Sequence, residues 1–263
     1  MKVKSNGIEL NCTVQGSGPW VVMSHSLACD LHMWDEQAAM LANDYTVLRF
    51  DTRGHGMSDA PAGQYTLDML AEDAKGLLDA LGIKSCHWVG LSMGGMIAQA
   101  FALRYPGVFA SLVLADTTSR YPPEAAGLWA DRIAAVNAKG MDAVVEGTLA
   151  RWFTDGFRRD RRDVCGRIEA MIRATPVAGY AGCCNAIPKI NFTSRLKEIS
   201  CPTIIIVGEQ DAGTPVDMAR EIHAAMPGSE LVVIPSASHL SNIEQPEAFS
   251  RALGAFLARN RQP

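Results

Sequence analysis

Gly90-Leu91-Ser92-Met93-Gly94 decides how the rest of this chain is read. The pentapeptide matches G-x-S-x-G, in which a serine sits on a sharp strand-to-helix turn. Its flanks supply that context. Cys86-His87-Trp88-Val89 before it reads as a buried strand, and Gly95-Met96-Ile97-Ala98-Gln99-Ala100-Phe101-Ala102-Leu103 after it reads as a helix. Such a turn holds Ser92 at a strained backbone angle. It also leaves no room at Gly90 and Gly94, where side chains would strike the neighbouring strand or helix. The helix start behind the serine offers free N–H groups that favour an oxyanion. A bare G-x-S-x-G also fits an ordinary Gly-Ser turn, and the flanking pattern is what separates the two.

Working outward, further β-branched runs read as buried strands: 20–23, 45–50, 111–115, 203–207 and 230–234. Helical periodicity lies between most of them, over about 67–81, 94–104, 215–226 and 246–259. Strands alternating with helices predict an α/β fold, a mostly parallel central sheet with helices on both faces. Ile8-Glu9-Leu10-Asn11-Cys12-Thr13-Val14 alternates in character and is expected as an antiparallel edge strand. The alternation breaks over residues 119–190, where helical stretches such as 124–139 and 141–153 replace strands. This predicts a core formed by 1–118 and 191–263, with 119–190 as a helical cap over the strand ends. The charge run Arg158-Arg159-Asp160-Arg161-Arg162-Asp163 is expected to be a solvated cap helix rather than an anion-steering patch.

Composition limits the partners. The 263 residues are 48% hydrophobic and 20% charged, which suits a globular domain of this size, and the formal charge of −4 gives no electrostatic basis for binding nucleic acid or an anionic membrane. No apolar run approaches a membrane span, and Met1-Lys2-Val3-Lys4-Ser5-Asn6-Gly7 lacks the apolar core of a signal peptide. The 7 cysteines are odd in number and form no C-x-x-C pair, so free thiols in a cytoplasmic protein are expected rather than disulfides or a metal site. Nothing in the pattern specifies an oligomeric state.

Serine is a weak nucleophile at neutral pH and needs a base in hydrogen-bond reach, which in turn needs an orienting carboxylate. Sites in open parallel sheets form beyond the carboxyl ends of strands. Asp211 follows the run 203–207, and His239 follows the run 230–234. The order Ser92, Asp211, His239 is one of the known chain orders of such a triad. Asp116, directly after 111–115, is the rival acid, and Glu209 is a weaker one expected at the surface. Oxyanion donors are expected at the backbone N–H of Met93 and of Leu27, the latter in the loop Ser24-His25-Ser26-Leu27-Ala28. His25 and His55 are expected to fix loops rather than act as bases.

These residues resemble an α/β-hydrolase over the full length. The resemblance is carried by Asp51-Thr52-Arg53-Gly54-His55-Gly56-Met57-Ser58, Gly90 to Met96, Gly208-Glu209-Gln210-Asp211 and Ser238 to Pro246. Within that superfamily the chain is most similar to the 3-oxoadipate enol-lactone hydrolases of bacterial protocatechuate degradation. The pointers are Ser24-His25-Ser26-Leu27, Asp30-Leu31-His32-Met33-Trp34, Arg151-Trp152-Phe153 and Gly179 to Ile187. Ser26 stands where many α/β-hydrolases carry glycine. The resemblance implies hydrolysis of a small ester or lactone through an acyl-enzyme, with no metal and no cofactor. The enol-lactone carries a carboxylate, for which Arg151 beside Trp152 is the candidate clamp; the pair equally reads as an exposed arginine and a core tryptophan. Other readings of the same frame are a broad carboxylesterase, a cofactor-free perhydrolase of the haloperoxidase type, and a non-catalytic ligand receptor. Serine at position 92 excludes dehalogenases and epoxide hydrolases of the usual kind, which place aspartate there.

Overall fold

The computed structural model describes residues 1–261. Eight strands form one sheet: β1 (Lys2–Ser5), β2 (Ile8–Gln15), β3 (Trp20–Ser24), β4 (Thr46–Phe50), β5 (Cys86–Leu91), β6 (Phe109–Ala115), β7 (Thr203–Gly208) and β8 (Glu230–Ile234). Their order across the sheet is β1-β2-β4-β3-β5-β6-β7-β8. From β4 to β8 every neighbouring pair is parallel, while β1–β2 and β2–β4 are antiparallel. The fold is therefore α/β with a mostly parallel sheet, as the alternation of strands and helices predicts. One expectation is corrected: β2 is antiparallel but not at the edge. The short Lys2-Val3-Lys4-Ser5 strand pairs outside it, Val3 opposite Leu10, and takes the edge instead.

Between strands lie α1 (Asp35–Leu41), α2 (Leu67–Ala80), α3 (Met93–Arg104) and α9 (Val216–Ala225), and after β8 come α10 (Ser241–Glu244) and α11 (Pro246–Arg259). The chain between β6 and β7 holds α4 (Ala125–Lys139), α5 (Asp142–Trp152), α6 (Asp155–Asp160), α7 (Arg162–Ala174) and α8 (Val177–Ala186). The charge run 158–163 does not form one helix. Arg161, with φ −120° and ψ 53°, breaks it into the end of α6 and the start of α7.

Aromatic packing sets the base of the serine turn. Trp88 on β5 packs against both Phe101 of α3 and Phe109 of β6, with ring centroids 5.5 and 5.2 Å away. Phe101 and Phe109 stack at 4.8 Å. These rings fix α3 against the sheet, and burying each stabilises the fold by about 1.5–3 kcal/mol. The Trp88 indole N–H donates to Ser24 Oγ (3.0 Å), which donates to the Gly94 carbonyl (3.1 Å), so the ends of β3 and β5 and the start of α3 are joined through one hydroxyl.

At α8 the helical segment meets the core backbone to backbone. A Cβ on Gly54 would lie 2.5 Å from Gly179 Cα, and one on Gly179 would lie 2.0 Å from the Gly54 carbonyl oxygen. Tyr65 N–H donates to the Gly182 carbonyl (3.1 Å) in the same contact. Two backbones can approach this far only where neither bears a side chain.

Candidate active site

Because β3 and β5 through β8 run parallel, the loops that follow them emerge at one edge of the sheet. That edge receives the Ser24–Cys29 loop, Ser92, Asp116, Asp211 and His239. Ser92 holds φ 55° and ψ −115°, a left-handed backbone that costs a non-glycine residue about 1–3 kcal/mol. The surroundings enforce it. A Cβ on Gly90 would lie 2.4 Å from the Gly94 carbonyl oxygen, and one on Gly94 would lie 2.2 Å from that of Ser24. Ser92 N–H donates to Ala115 (2.9 Å), and Thr117 Oγ1 donates to the Ser92 carbonyl (2.7 Å).

His239 Nε2 lies 2.9 Å from Ser92 Oγ, and its Nδ1 lies 2.8 Å from Asp211 Oδ2. Asp211 is fully enclosed and accepts three further bonds, from Gly213 N–H (2.7 Å), Thr214 N–H (2.9 Å) and Thr214 Oγ1 (2.8 Å). The structure thus brings together the serine, histidine and aspartate named from the sequence. With Nδ1–H donating to the carboxylate, Nε2 is left to accept the Ser92 proton.

Asp116, the rival acid, makes no bond to His239. Its Oδ1 accepts Gly208 N–H (2.8 Å) and its Oδ2 accepts the Ser241 hydroxyl (2.5 Å). Burial, reinforced by the Asp211 charge, pushes the Asp116 carboxyl well above the usual carboxylate range. Glu209 is exposed, as expected, and accepts Ser236 N–H (3.1 Å).

The His239 loop is held by a residue to which the sequence reading gave no role. Buried Glu244 accepts Ser238 N–H (2.8 Å) through one oxygen and both Thr154 N–H (3.0 Å) and the Thr154 hydroxyl through the other. Leu240 N–H donates to the Trp152 carbonyl (3.2 Å), and Ser238 Oγ donates to that of Arg151 (3.0 Å).

Two buried histidines hold the loop after β3. His25 Nε2 accepts Thr52 N–H (2.9 Å), so its proton sits on Nδ1 and donates to the Ser26 carbonyl (2.7 Å). His55 Nε2 accepts Ala28 N–H (3.0 Å) and its Nδ1–H faces the Arg53 carbonyl (3.2 Å). Burial lowers both, His55 to about 3 with the neighbouring His25 adding to the shift. The His55 loop is fixed by the Arg53–Asp73 ion pair (2.6 Å) and by Asp51, which accepts Leu31 N–H and Met57 N–H (both 2.8 Å). Among the described residues the Leu27 N–H has no acceptor, and Met93 supplies the first N–H of α3.

A cavity of about 220 Å³ opens in front of Ser92. Ser26, Leu27, Trp152 and His239 line it, as do the aromatic rings of Tyr121, Trp129 and Tyr180. Arg151 and Trp152 both reach it, Trp152 stacked along His239. A second cation, missed in the sequence, joins them: Arg132 on α4, its guanidinium 4.4 Å from the centre of the Trp129 ring. Arg151 donates to Thr148 Oγ1 (3.2 Å), and burial together with the Arg132 charge lowers its pKa. Among the described residues no carboxylate forms an ion pair with either arginine. No group of His, Cys, Asp and Glu suited to a metal ion occurs among the described residues.

The family described as the alpha/beta hydrolase fold matches residues 19–246. The chain is 35% identical over 245 residues to 3-oxoadipate enol-lactonase 2 of Acinetobacter baylyi, spanning 93% of this chain and 91% of the relative. It is 36% identical over 259 residues to 3-oxoadipate enol-lactonase 1 of the same organism, spanning 98% and 96%. Among solved structures it superposes on the enol-lactonase from Burkholderia xenovorans with a TM-score of 0.94 and 36% identity, covering 98% of this chain and 100% of that one.

Proposed function

From the premise that the chain belongs to the alpha/beta hydrolase family, we propose that it hydrolyses a small, negatively charged carboxylic ester or lactone through a Ser92 acyl-enzyme. 3-Oxoadipate enol-lactone is the specific candidate. The observation that carries the reading is the pairing of the Ser92–His239–Asp211 triad with two cations in the same cavity that lack acidic partners among the described residues. A half-buried guanidinium without a carboxylate partner is set to receive one from a ligand.

In this mechanism His239 Nε2 takes the Ser92 proton as Oγ attacks the substrate carbonyl. Asp211 holds the tautomer and stabilises the imidazolium that forms. The Leu27 and Met93 N–H groups receive the oxyanion. His239 then protonates the leaving enolate, which in a lactone stays tethered to the acyl group. A water deprotonated by His239 releases the product and frees Ser92. Arg132 and Arg151 hold the remote carboxylate, and the substrate needs no cofactor. Residues 119–190 act as the cap that closes this cavity over the core of 1–118 and 191–263. The 7 unpaired cysteines support a cytoplasmic setting. Among the described residues no helix is long and apolar enough to cross a membrane.

The test is turnover of 3-oxoadipate enol-lactone against neutral lactones and aryl esters of similar size, with wild type and Ser92→Ala. The anionic lactone should be preferred, and Ser92→Ala should lose on the order of 10⁶ in kcat. Equal rates on neutral substrates indicate a broad carboxylesterase, and turnover by Ser92→Ala refutes the serine mechanism. Binding without any turnover indicates a receptor.

A further inference from the structure

Ser26 lies one residue before Leu27 and lines the cavity in front of Ser92. Its hydroxyl is closed off from solvent and has no hydrogen-bond partner among the described residues. Other groups of its loop are engaged. The Ser26 carbonyl accepts from His25 Nδ1 (2.7 Å) and from Cys29 N–H (3.2 Å), and the Ala28 N–H is taken by His55. Ala28 itself is held at φ 59°, so the loop is fixed in shape around two donors without acceptors among the described residues, the Leu27 N–H and the Ser26 hydroxyl. Burying a hydroxyl without a partner is unfavourable, and native proteins seldom retain such a group without a use for it. Glycine at this position would avoid the penalty.

We propose that Ser26 Oγ–H is a third donor to the oxyanion, beside the Leu27 and Met93 N–H groups. The inference rests on the serine mechanism proposed above. When Ser92 Oγ bonds to the substrate carbonyl carbon, the carbonyl π pair moves onto oxygen, and the negative charge develops next to the Leu27 segment. The Ser26 hydroxyl turns about its Cβ–Oγ and Cα–Cβ bonds to donate to that oxygen. It keeps its proton throughout. As the intermediate collapses, the pair returns to the carbonyl, the leaving oxygen takes the His239 proton, and the Ser26 bond is released. A hydroxyl unpaired at rest and paired in the intermediate stabilises only the latter, which is the condition for raising kcat rather than tightening substrate binding.

The structure attaches two opposite signs to one substitution. Ser26→Ala removes a donor that is idle in the resting protein, so its melting temperature stays level or rises. Its kcat falls about tenfold to a hundredfold on an aryl ester such as p-nitrophenyl acetate, with KM within about twofold. Ser26→Thr, which keeps the hydroxyl, retains more activity than Ser26→Ala. A boronic acid that forms a tetrahedral adduct on Ser92 binds Ser26→Ala more weakly by a factor tracking the loss in kcat/KM. Unchanged kcat and unchanged boronate affinity in Ser26→Ala, with wild type active through Ser92, refute the third donor and leave the serine mechanism standing. Parallel loss of stability and activity refutes it as well, since it marks a structural role. Absence of a Ser92 acyl-enzyme in wild type refutes the parent mechanism instead.

Discussion

The indole of Trp152 lies along the imidazole of His239, ring centroids 6.3 Å apart and planes 26° from parallel. The last residue of α5 thus forms one wall of the position from which Ser92 would be deprotonated. The Trp152 carbonyl also accepts the N–H of Leu240, the residue after His239. Trp152→Ala should therefore lower kcat about tenfold or more, because a displaced base loses its alignment. Trp152→Phe keeps a stacking face and should recover most of the rate. Steady-state kinetics of both variants check this, and a Trp152→Ala enzyme with wild-type kcat would contradict it.

The two carboxylates at the sheet edge should separate cleanly. Asp211→Asn leaves the imidazole without its acceptor and should cost about 10⁴ in kcat. Asp116→Asn is expected to stay within about tenfold of wild type, since Asp116 bonds Gly208 and Ser241 rather than His239. Comparable losses in the two variants would show that Asp116 shares the work of orienting the base.

Arg132 and Arg151 should act on anionic substrates alone. Removing one charge-assisted contact weakens binding by about 1.5–3 kcal/mol, so Arg132→Ala and Arg151→Ala should each raise KM roughly tenfold to a hundredfold for an anionic lactone. KM for a neutral lactone of equal size should hardly move. A uniform effect on both substrates would assign the arginines to packing of the cap.

Stability should fall in acid because His25 and His55 are held neutral. The unfolded imidazole titrates near 6.5, while burial lowers folded His55 to about 3. Between those values the unfolded chain binds the extra proton. Full stability is present above about 6.5 and declines as pH falls toward 3, by about 1.4 kcal/mol per pH unit for His55. Denaturant titrations at several pH values should show a flatter dependence for His55→Gln, whose amide oxygen can accept without titrating. An identical slope in the variant would place the acid sensitivity elsewhere.

Ser92, Asp211 and His239 were legible because each follows a β-branched run, and the parallel sheet carries the ends of such runs to one edge. Leu27 and Met93 followed from the same logic. Arg132 was not legible. Its value depends on which face of α4 meets the cavity, although Trp129 and Arg132, three residues apart, share a helix face and so carried a signal. The helix α8 lacked a readable period because Gly179, Tyr180, Cys183 and Cys184 are buried around much of its circumference. The edge strand β1 escaped notice because four residues with two lysines read as a tail. Glu244 was hidden for another reason: its partners, Ser238 and Thr154, lie 6 and 90 positions away along the chain.

The Gly54–Gly179 contact bears on how such enzymes could be recombined. The loop after β4 and helix α8 meet there without side chains, so neither side of the contact has room for a Cβ. A chimera that grafts a foreign 119–190 segment onto this core inherits the activity of its donor only if the graft brings glycine to position 179. Exchange of the 119–190 segment thus turns on a single fit, a glycine set against Gly54.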